Sequence, residues 1–206
     1  MTFAELLNEP VFAGRAEDWS ELQHRLLLEV RSTLPEHTIV LTGNDWGSVA
    51  GLLALTAERD PNVVYSFHLY EPAELTALAA YRADLDRAAL ARLPFLSDDG
   101  AACLAVAGSA RDSSTADLMR FYCNEHWDAA KVAAKINAAA DWARCNHAVV
   151  IAGEFGASNA LNAAARQAWL ATVRETCERG GIGWALWGYE DAGSFASAAR
   201  TVRRSL

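Results

Sequence analysis

Residues 148–156 read Ala-Val-Val-Ile-Ala-Gly-Glu-Phe-Gly, an apolar run that ends at a single carboxylate, Glu154, between glycines. Residues 3–10, Phe-Ala-Glu-Leu-Leu-Asn-Glu-Pro, repeat the arrangement with Glu9 and a proline. An apolar run bounded by glycine or proline is typical of a buried parallel strand. The sequence therefore predicts two parallel strands, each of which delivers one glutamate to the same end of a sheet.

Strands and helices alternate along the rest of the chain. Further strands are predicted over residues 38–42, 63–70 and 182–187, and helices over 19–34, 49–58, 115–146 and 161–179, with a last helix from about Ser194. Asp18, followed three residues later by Glu21, is predicted to cap the first helix. Residues 71–114 show no single period and are predicted to form a long functional loop that contains a helix. The pattern indicates an α/β protein with five parallel strands, each followed by a helix.

Such a sheet is compatible with two architectures, an open doubly wound sheet or part of a (β/α)₈ barrel. A dinucleotide-binding sheet usually carries a glycine-rich turn directly after a strand. The turn here, Gly-Asn-Asp-Trp-Gly at residues 43–47, lacks the third glycine and has tryptophan where the backbone must approach a phosphate. The motif content therefore favours the barrel.

Four segments, in this order and spacing, resemble glycoside hydrolase family 5, the retaining cellulase-type enzymes. They are Phe-Ala-Glu-Leu-Leu-Asn-Glu-Pro at 3–10, Tyr-Ser-Phe-His-Leu-Tyr-Glu-Pro at 65–72, Gly-Glu-Phe-Gly at 153–156 and Gly-Trp-Ala-Leu-Trp at 183–187. The resemblance covers nearly the whole chain but only the family's second half. It implies a partial TIM (β/α)₈ barrel, strands four to eight with strands one to three missing, in one N-terminally incomplete catalytic domain over residues 1–206.

The resemblance also implies a role for six residues. They are Glu9 as general acid/base, Glu154 as nucleophile, Asn8 as a hydrogen-bond partner of the sugar 2-hydroxyl, His68 and Tyr70 at the cleavage point, and Trp187 as a platform beneath the sugar ring. An arginine on strand two and a histidine on strand three of the family have no counterpart here. We therefore expect negligible hydrolysis from this chain alone.

The chemistry of glycoside cleavage supports the same assignment. A retaining glycosidase needs one carboxyl group to protonate the leaving oxygen and a second to attack the anomeric carbon, about 5 Å away. We expect that spacing between Glu9 and Glu154, with the Tyr70 hydroxyl within hydrogen-bond reach of Glu154. An indole such as that of Trp187 suits the apolar face of a pyranose.

The predicted function is a retaining glycoside hydrolase that cleaves O-glycosidic bonds of β-glucans, cellulase- or β-glucosidase-like, in polysaccharide catabolism. The alternative is a non-catalytic carbohydrate-binding protein or an inactive half-barrel remnant; an unrelated α/β enzyme is a third, remote reading. No cofactor and no metal are expected. The resemblance implies a secreted or periplasmic protein.

Charge and composition restrict the partners. A net charge of −8 argues against nucleic acid and anionic membrane surfaces, which need clustered lysine and arginine. The four cysteines show no zinc-ligand spacing and are expected to be buried thiols, with one disulfide open if the protein is exported. A five-stranded part of a barrel leaves two strand edges, at residues 3–7 and 183–187, which can mediate self-association.

Strand alternation predicts which side chains face the barrel interior. Those predicted to share the interior with the site residues are Leu7, Ser66, Val150 and Ala185, whereas Leu6, Phe67, Ile151 and Leu186 are predicted to lie beneath helices. Glu5 is expected to be a buried carboxylate with a hydrogen-bond partner. Trp46 is left open between a wall of the cleft and ordinary packing.

Overall fold

The computed structural model describes residues 3–95 and 99–188, and the helix predicted from Ser194 lies outside these residues. The chain divides into two compact units, which we describe separately. We call residues up to 69, 133–155 and 173–185 the sheet unit. We call residues 70–132, 156–172 and those from 186 onward the helical unit.

Five parallel strands form one sheet in sequential order, as predicted. They are β1 (Phe3–Glu5), β2 (Thr38–Thr42), β3 (Val63–Leu69), β4 (Val149–Phe155) and β5 (Gly183–Leu186). Sequential order is what repeated β–α units produce, because each crossover returns the chain beside the strand it has just left.

Eight helices are present in the described ranges. They are α1 (Ala16–Thr33), α2 (Val49–Leu53), α3 (Ala73–Thr76), α4 (Arg87–Leu90), α5 (Gly100–Gly108), α6 (Ser113–Asn124), α7 (Ala129–Asn146) and α8 (Ala163–Gly180). Of these, α7 and α8 have residues in both units.

The predicted helix over 115–146 is two helices. The chain leaves α6 through His126, whose φ is +49°, and starts again at Asp128, whose carboxylate accepts the Lys131 N–H at 2.7 Å. This side-chain bond satisfies an N–H that the new helix leaves without an intrahelical partner. A local capping residue therefore interrupts a pattern that otherwise reads as one helix.

The stretch predicted as a long loop contains three short helices, and part of a fourth. Asp86, Asp99 and Asp112 cap α4, α5 and α6 by accepting backbone N–H groups of the first turn. Aspartate is among the preferred N-cap residues. Three aspartates, each followed by small helix-forming residues, are the signal by which the sequence could have revealed these helices.

The start of α1 also differs from the prediction. The helix begins at Ala16 after Arg15, so Asp18 lies in the first turn and is not the cap. There its charge favours the positive end of the helix dipole. The helix is fixed to β2 by two buried bonds: Trp19 Nε1 donates to the Thr42 carbonyl at 2.8 Å, and Gln23 Oε1 accepts the Thr42 N–H at 3.0 Å.

The face of the sheet beneath the helices carries Tyr65, Phe67 and Val150. Val150 is the register partner of Tyr65, whose ring contacts that of Trp142 in α7 at a centroid distance of 4.9 Å. Phe67 is fully buried, as predicted. The prediction that Val150 faces the interior is wrong, because its register partner lies under a helix.

Ile151 lies on the opposite face, as the register partner of Ser66. The prediction was therefore displaced by one residue in β4. The reason is a register shift beside Phe67 and His68: Phe67 pairs with Ala152, whereas His68 pairs with Glu154. The extra residue, Gly153, reverses the alternation, so that Ile151 and Glu154 share a face although they are three residues apart.

This second face, which we call the open face, is buried at its centre, at Thr42 and Ser66, and accessible to solvent toward the two outer strands. It includes Phe3 and Glu5 of β1, Ile151 of β4, and Gly183 of β5, where a Cβ atom would lie 3.3 Å from Ile151 Cγ2. Phe3 is 53% exposed, and Ala185, also predicted for this face, is exposed. Glu5 is exposed and not buried, although its carboxylate accepts the Thr42 hydroxyl at 2.7 Å as expected.

The cysteines correct the expectation of four buried thiols. Cys103 and Cys123 form a disulfide that joins α5 to α6 in the helical unit, and Cys145 is exposed. Only Cys177 of the free cysteines is buried, and its burial raises the pKa of the thiol to about 11.

Among residues 3–95 and 99–188, every helix is too short or too polar to cross a membrane.

Candidate active site

Glu9 lies just after β1, in a turn shaped by the Asn-Glu-Pro sequence. The strand ends at Glu5, so the predicted alternation does not extend through Leu6 and Leu7 to Glu9. Glu9 adopts φ +47°, and its side chain is 27% exposed. A positive φ is uncommon outside glycine and marks a position that the surrounding structure holds in place.

His68 lies near the end of β3 and is the most buried member of the site, with a side chain that is 4% exposed. Its backbone N–H donates to the Gly47 carbonyl at 2.7 Å. Gly47 has φ +66°, and a Cβ atom there would lie 2.9 Å from Thr42 Cγ2 and 3.5 Å from His68 Cγ. The positive φ and the close approach to Thr42 therefore both favour glycine at this position beside the imidazole ring.

Glu154 lies one residue after the glycine that forms the extra residue of β4. A Cβ atom at Gly153 would lie 2.1 Å from Ser66 Oγ and 3.8 Å from His68 Cδ2. The absence of a side chain allows β4 to approach β3 here, and the register shift places Glu154 beside His68. The Glu154 side chain is 16% exposed.

The three side chains converge on a small volume. His68 Nδ1 lies 3.0 Å from Glu9 Oε1, a hydrogen bond, and 3.6 Å from Glu154 Oε2. One carboxylate oxygen of each glutamate and one ring nitrogen of His68 all lie within 4.8 Å of one another. The sheet thus brings together three side chains from the ends of three different strands.

This arrangement can hold and move a proton. An Nδ1–H of His68 donates to a Glu9 carboxylate, whereas a protonated Glu9 donates to a bare Nδ1, so the same contact fits both states of the carboxyl group. One oxygen of each carboxylate lies within 4.8 Å of one oxygen of the other, close enough for attack on a sugar carbon by one and proton donation by the other. The geometry is therefore compatible with retaining glycoside cleavage.

A neighbouring turn, residues 43–47, supports Glu9 and His68, a role that the sequence analysis did not assign to it. The side chain of Asn44 accepts the Phe12 N–H at 2.7 Å and donates to the Phe12 carbonyl at 3.2 Å. The Trp46 N–H donates to the Pro10 carbonyl at 3.2 Å. These bonds fix the segment after Glu9 to the turn that also carries Gly47. The Asn and Gly residues directly after β2 are the sequence feature that could have predicted this turn.

The other residues predicted for the site are placed as follows. Asn8, directly before Glu9, is exposed. Trp46, which the sequence left open, is 61% exposed and is therefore not a packing residue. Tyr70 follows β3, Trp187 follows β5, and both belong to the helical unit, where Trp187 is 48% exposed. The predicted Tyr70–Glu154 hydrogen bond stays a prediction.

Comparison with solved structures defines the class of fold. The chain resembles Thermotoga maritima Cel5A in complex with cellobiose, with a TM-score of 0.74 and 24% identity over 98% of this chain and 56% of that chain. It also resembles a hyperthermophilic endo-β-1,4-glucanase in complex with substrate, with a TM-score of 0.72 and 23% identity over 97% of this chain and 54% of that chain. With its sequential parallel strands, the fold is part of a TIM (β/α)₈ barrel.

The sequence comparison gives the family. Residues 2–193 match the profile of Cellulase (glycosyl hydrolase family 5), and the chain therefore belongs to that family. It is 29% identical over 194 residues to Endoglucanase 3 of Fibrobacter succinogenes, covering 91% of this chain and 29% of that protein. A shorter match of 72 residues, at 31% identity, joins it to Endoglucanase H of Acetivibrio thermocellus. The chain thus spans less than a third of the Fibrobacter protein and about half of the solved chains.

Proposed function

We propose that this protein is a retaining glycoside hydrolase that cleaves β-glucans, with Glu154 as nucleophile and Glu9 as general acid/base. The observation that carries the proposal is the convergence of two carboxylates and a buried imidazole within 4.8 Å at the carboxyl ends of three strands of one parallel sheet. Active sites of TIM barrels are built at this end of the strands. Family membership supports the same reaction class.

In the proposed reaction, the Glu154 carboxylate attacks the anomeric carbon while a protonated Glu9 gives its proton to the leaving glycosidic oxygen. The bond to the leaving sugar breaks, and an ester between the sugar and Glu154 forms. Glu9, now ionised, then removes a proton from water, which attacks the same carbon and releases Glu154. Two inversions at one carbon retain its configuration.

We assign His68 the role of positioning Glu9. Its Nδ1 is 3.0 Å from Glu9 Oε1, and its burial and its backbone bond to Gly47 restrict the ring. A fixed hydrogen-bond partner keeps the acid in the orientation that proton transfer requires. By resemblance to the family, we place Asn8, Tyr70 and Trp187 among the substrate-binding residues, and we add the exposed Trp46 as a wall of the cleft.

Among β-glucans, we favour an internal β-1,4 linkage over the terminal linkage that a β-glucosidase cleaves. Two sequence relatives are named endoglucanases, and one solved neighbour is described as an endo-β-1,4-glucanase. Another solved complex of Thermotoga maritima Cel5A contains mannotriose, so the assay includes a β-mannan.

The test is hydrolysis of soluble cellulose derivatives, mixed-linkage β-glucan and β-mannan by the protein as its gene encodes it. Glu154→Gln keeps the size of the side chain but removes the nucleophile, so turnover should fall by about three orders of magnitude or more. Oligosaccharide binding should persist. Glu5→Gln is the matched control, since Glu5 is a carboxylate of the same sheet outside the cluster. Full activity of Glu154→Gln would remove Glu154 from the nucleophile role.

A non-catalytic carbohydrate-binding protein is the second candidate. The exposure of Phe3 and Ala185 on the open face favours it, because side chains of a closed barrel interior are packed. This candidate predicts oligosaccharide binding without release of reducing ends from any of the three substrates. Release of products with retained configuration would exclude it.

A further inference from the structure

The proposed catalytic cluster also has the composition of a metal site. Three potential ligand atoms, one each from Glu9, His68 and Glu154, lie within 4.8 Å of one another. Among residues 3–95 and 99–188, no other group of three histidine, cysteine or acidic side chains meets this condition. The cluster is not a set of surface acids, because its histidine is almost fully buried.

The two distances from His68 to the glutamates suit a small divalent cation. Zinc binds histidine nitrogen and carboxylate oxygen at about 2.0–2.2 Å, so neighbouring ligands of a tetrahedral site lie about 3.4 Å apart. The distances from His68 Nδ1 to the oxygens of Glu9 and Glu154 are 3.0 Å and 3.6 Å, on either side of that value. The two glutamate oxygens lie within 4.8 Å of each other, and a tetrahedral zinc ion requires them to approach to about 3.4 Å, with a water as the fourth ligand.

The charges and the ligand types select the kind of cation. Two carboxylates that are 27% and 16% exposed leave a partly desolvated negative site, which favours a double positive charge. An imidazole ligand suits zinc, copper and nickel, whereas magnesium and calcium prefer oxygen ligands alone. The site should therefore discriminate zinc from magnesium.

We propose that Glu9, His68 and Glu154 bind one zinc-type divalent cation, and that the bound cation inhibits hydrolysis reversibly. The cation takes the place of the proton between His68 and Glu9 and coordinates Glu154. Both carboxylates are then unable to attack or to transfer a proton. The binding part of this proposal is independent of the proposed function, and only the inhibition part depends on it.

The test is calorimetric titration of the protein with zinc chloride, and separately with magnesium chloride, in a buffer that does not bind metals. We expect one zinc per chain and no measurable heat with magnesium. Glu154→Gln should weaken zinc binding by about tenfold or more, since removal of a ligand costs at least as much as removal of an outer-shell partner. His68→Gln should also weaken zinc binding by about tenfold or more. The melting temperature of this variant shows whether it is folded.

A second histidine–glutamate pair provides the matched control. His24 Nδ1 lies 3.0 Å from Glu58 Oε1, the same distance as in the cluster, and these two residues are not part of any three-residue group. Glu58→Gln should leave zinc affinity and hydrolysis unchanged. If Glu58→Gln abolishes zinc binding, or if Glu9→Gln and Glu154→Gln both keep the original affinity, the assignment of the site is wrong.

Activity separates this proposal from the proposed function. If zinc binds with the expected variant pattern but no β-glucan is hydrolysed, the metal site stands and the hydrolase function fails. If hydrolysis occurs and zinc neither binds nor inhibits, the metal site fails and the hydrolase function stands. Restoration of activity by a chelator shows that inhibition is reversible and not caused by precipitation.

Discussion

At the scale of single residues, the site depends on two glycines as much as on its three charged or titratable side chains. Gly153 lets β4 approach Ser66 and supplies the extra residue that turns Glu154 toward His68. Gly47 lets its turn pack against the imidazole and accept the His68 N–H. The reactive side chains of the site are thus positioned by glycines, which have no side chain.

Replacement of Gly47 by alanine tests this dependence. The new Cβ atom would lie 2.9 Å from Thr42 Cγ2, so the turn or the Thr42 side chain must shift, directly beside His68, whose Cγ would be 3.5 Å away. We expect Gly47→Ala to lower kcat for β-glucan hydrolysis and to shift the imidazole NMR signals of His68. The measurement compares both quantities with those of the unmodified protein.

Gly14→Ala is the matched control, because Gly14 also has a positive φ, +69°, but open space where the Cβ atom would be. Both variants carry a similar backbone cost of about 1–2 kcal/mol. Only Gly47→Ala should affect His68. Equal losses of activity in the two variants would attribute the effect to backbone strain alone.

At the scale of secondary-structure elements, a close contact of two backbones holds α2 to the end of β2. A Cβ atom at Gly51 in α2 would lie 1.9 Å from the Asn44 carbonyl oxygen, and one at Gly43 would lie 2.2 Å from the Gly51 carbonyl carbon. Both clashes are with backbone, which cannot rotate away as a side chain can. The turn of residues 43–47 is therefore held in position by its contact with α2, a helix of only five residues.

Gly51→Ala should separate these elements. We expect a loss of about 1–3 kcal/mol in the free energy of unfolding, as for other overpacked sites. Gly108→Ala, at the end of α5 where nothing lies within 4 Å, should be neutral or slightly stabilising, because alanine favours helix. The free energy of unfolding of both variants is measured by denaturant titration and compared with that of the unmodified protein. Equal stability of Gly51→Ala and the unmodified protein would show that α2 can shift without cost.

At the scale of the whole molecule, the sheet has one covered face and one face that is accessible toward the outer strands β1 and β5. The interior of an eight-stranded TIM barrel is filled by side chains from all its strands. The described part of this chain forms five strands, and the chain spans 54% of a solved endo-β-1,4-glucanase chain that it resembles. Phe3, on the open face at the β1 edge, is 53% exposed. Exposed strand edges with apolar side chains favour association.

We therefore predict that the 206-residue polypeptide, produced by itself, associates into dimers or larger species. Phe3→Lys should shift the distribution toward monomer in light scattering coupled to size exclusion, because a charge blunts an exposed strand edge. Leu28→Lys, at a 59% exposed position of α1, is the control and should have no effect. A monomeric unmodified polypeptide would contradict the prediction.

We also predict that the same polypeptide hydrolyses β-glucan negligibly, on the expectation from the family resemblance that it has no counterpart of the arginine on strand two and the histidine on strand three. The assay compares it with the protein as its gene encodes it. Robust hydrolysis by a monomer of these 206 residues would show that strands four to eight are sufficient.

The sequence by itself determined the strands, their parallel order and the two glutamates at the strand ends. Each of these follows from a local pattern, because an apolar run predicts a strand, although β1 ends at Glu5 and not at the predicted proline. Only the tertiary structure decided that Ile151 and not Val150 shares a face with Ser66, because that depends on an extra residue in the pairing of β3 with β4. The Glu9–His68 contact joins residues 59 apart, and the disulfide joins residues 20 apart. Contacts between distant residues follow from how strands and helices pack, which no local pattern specifies.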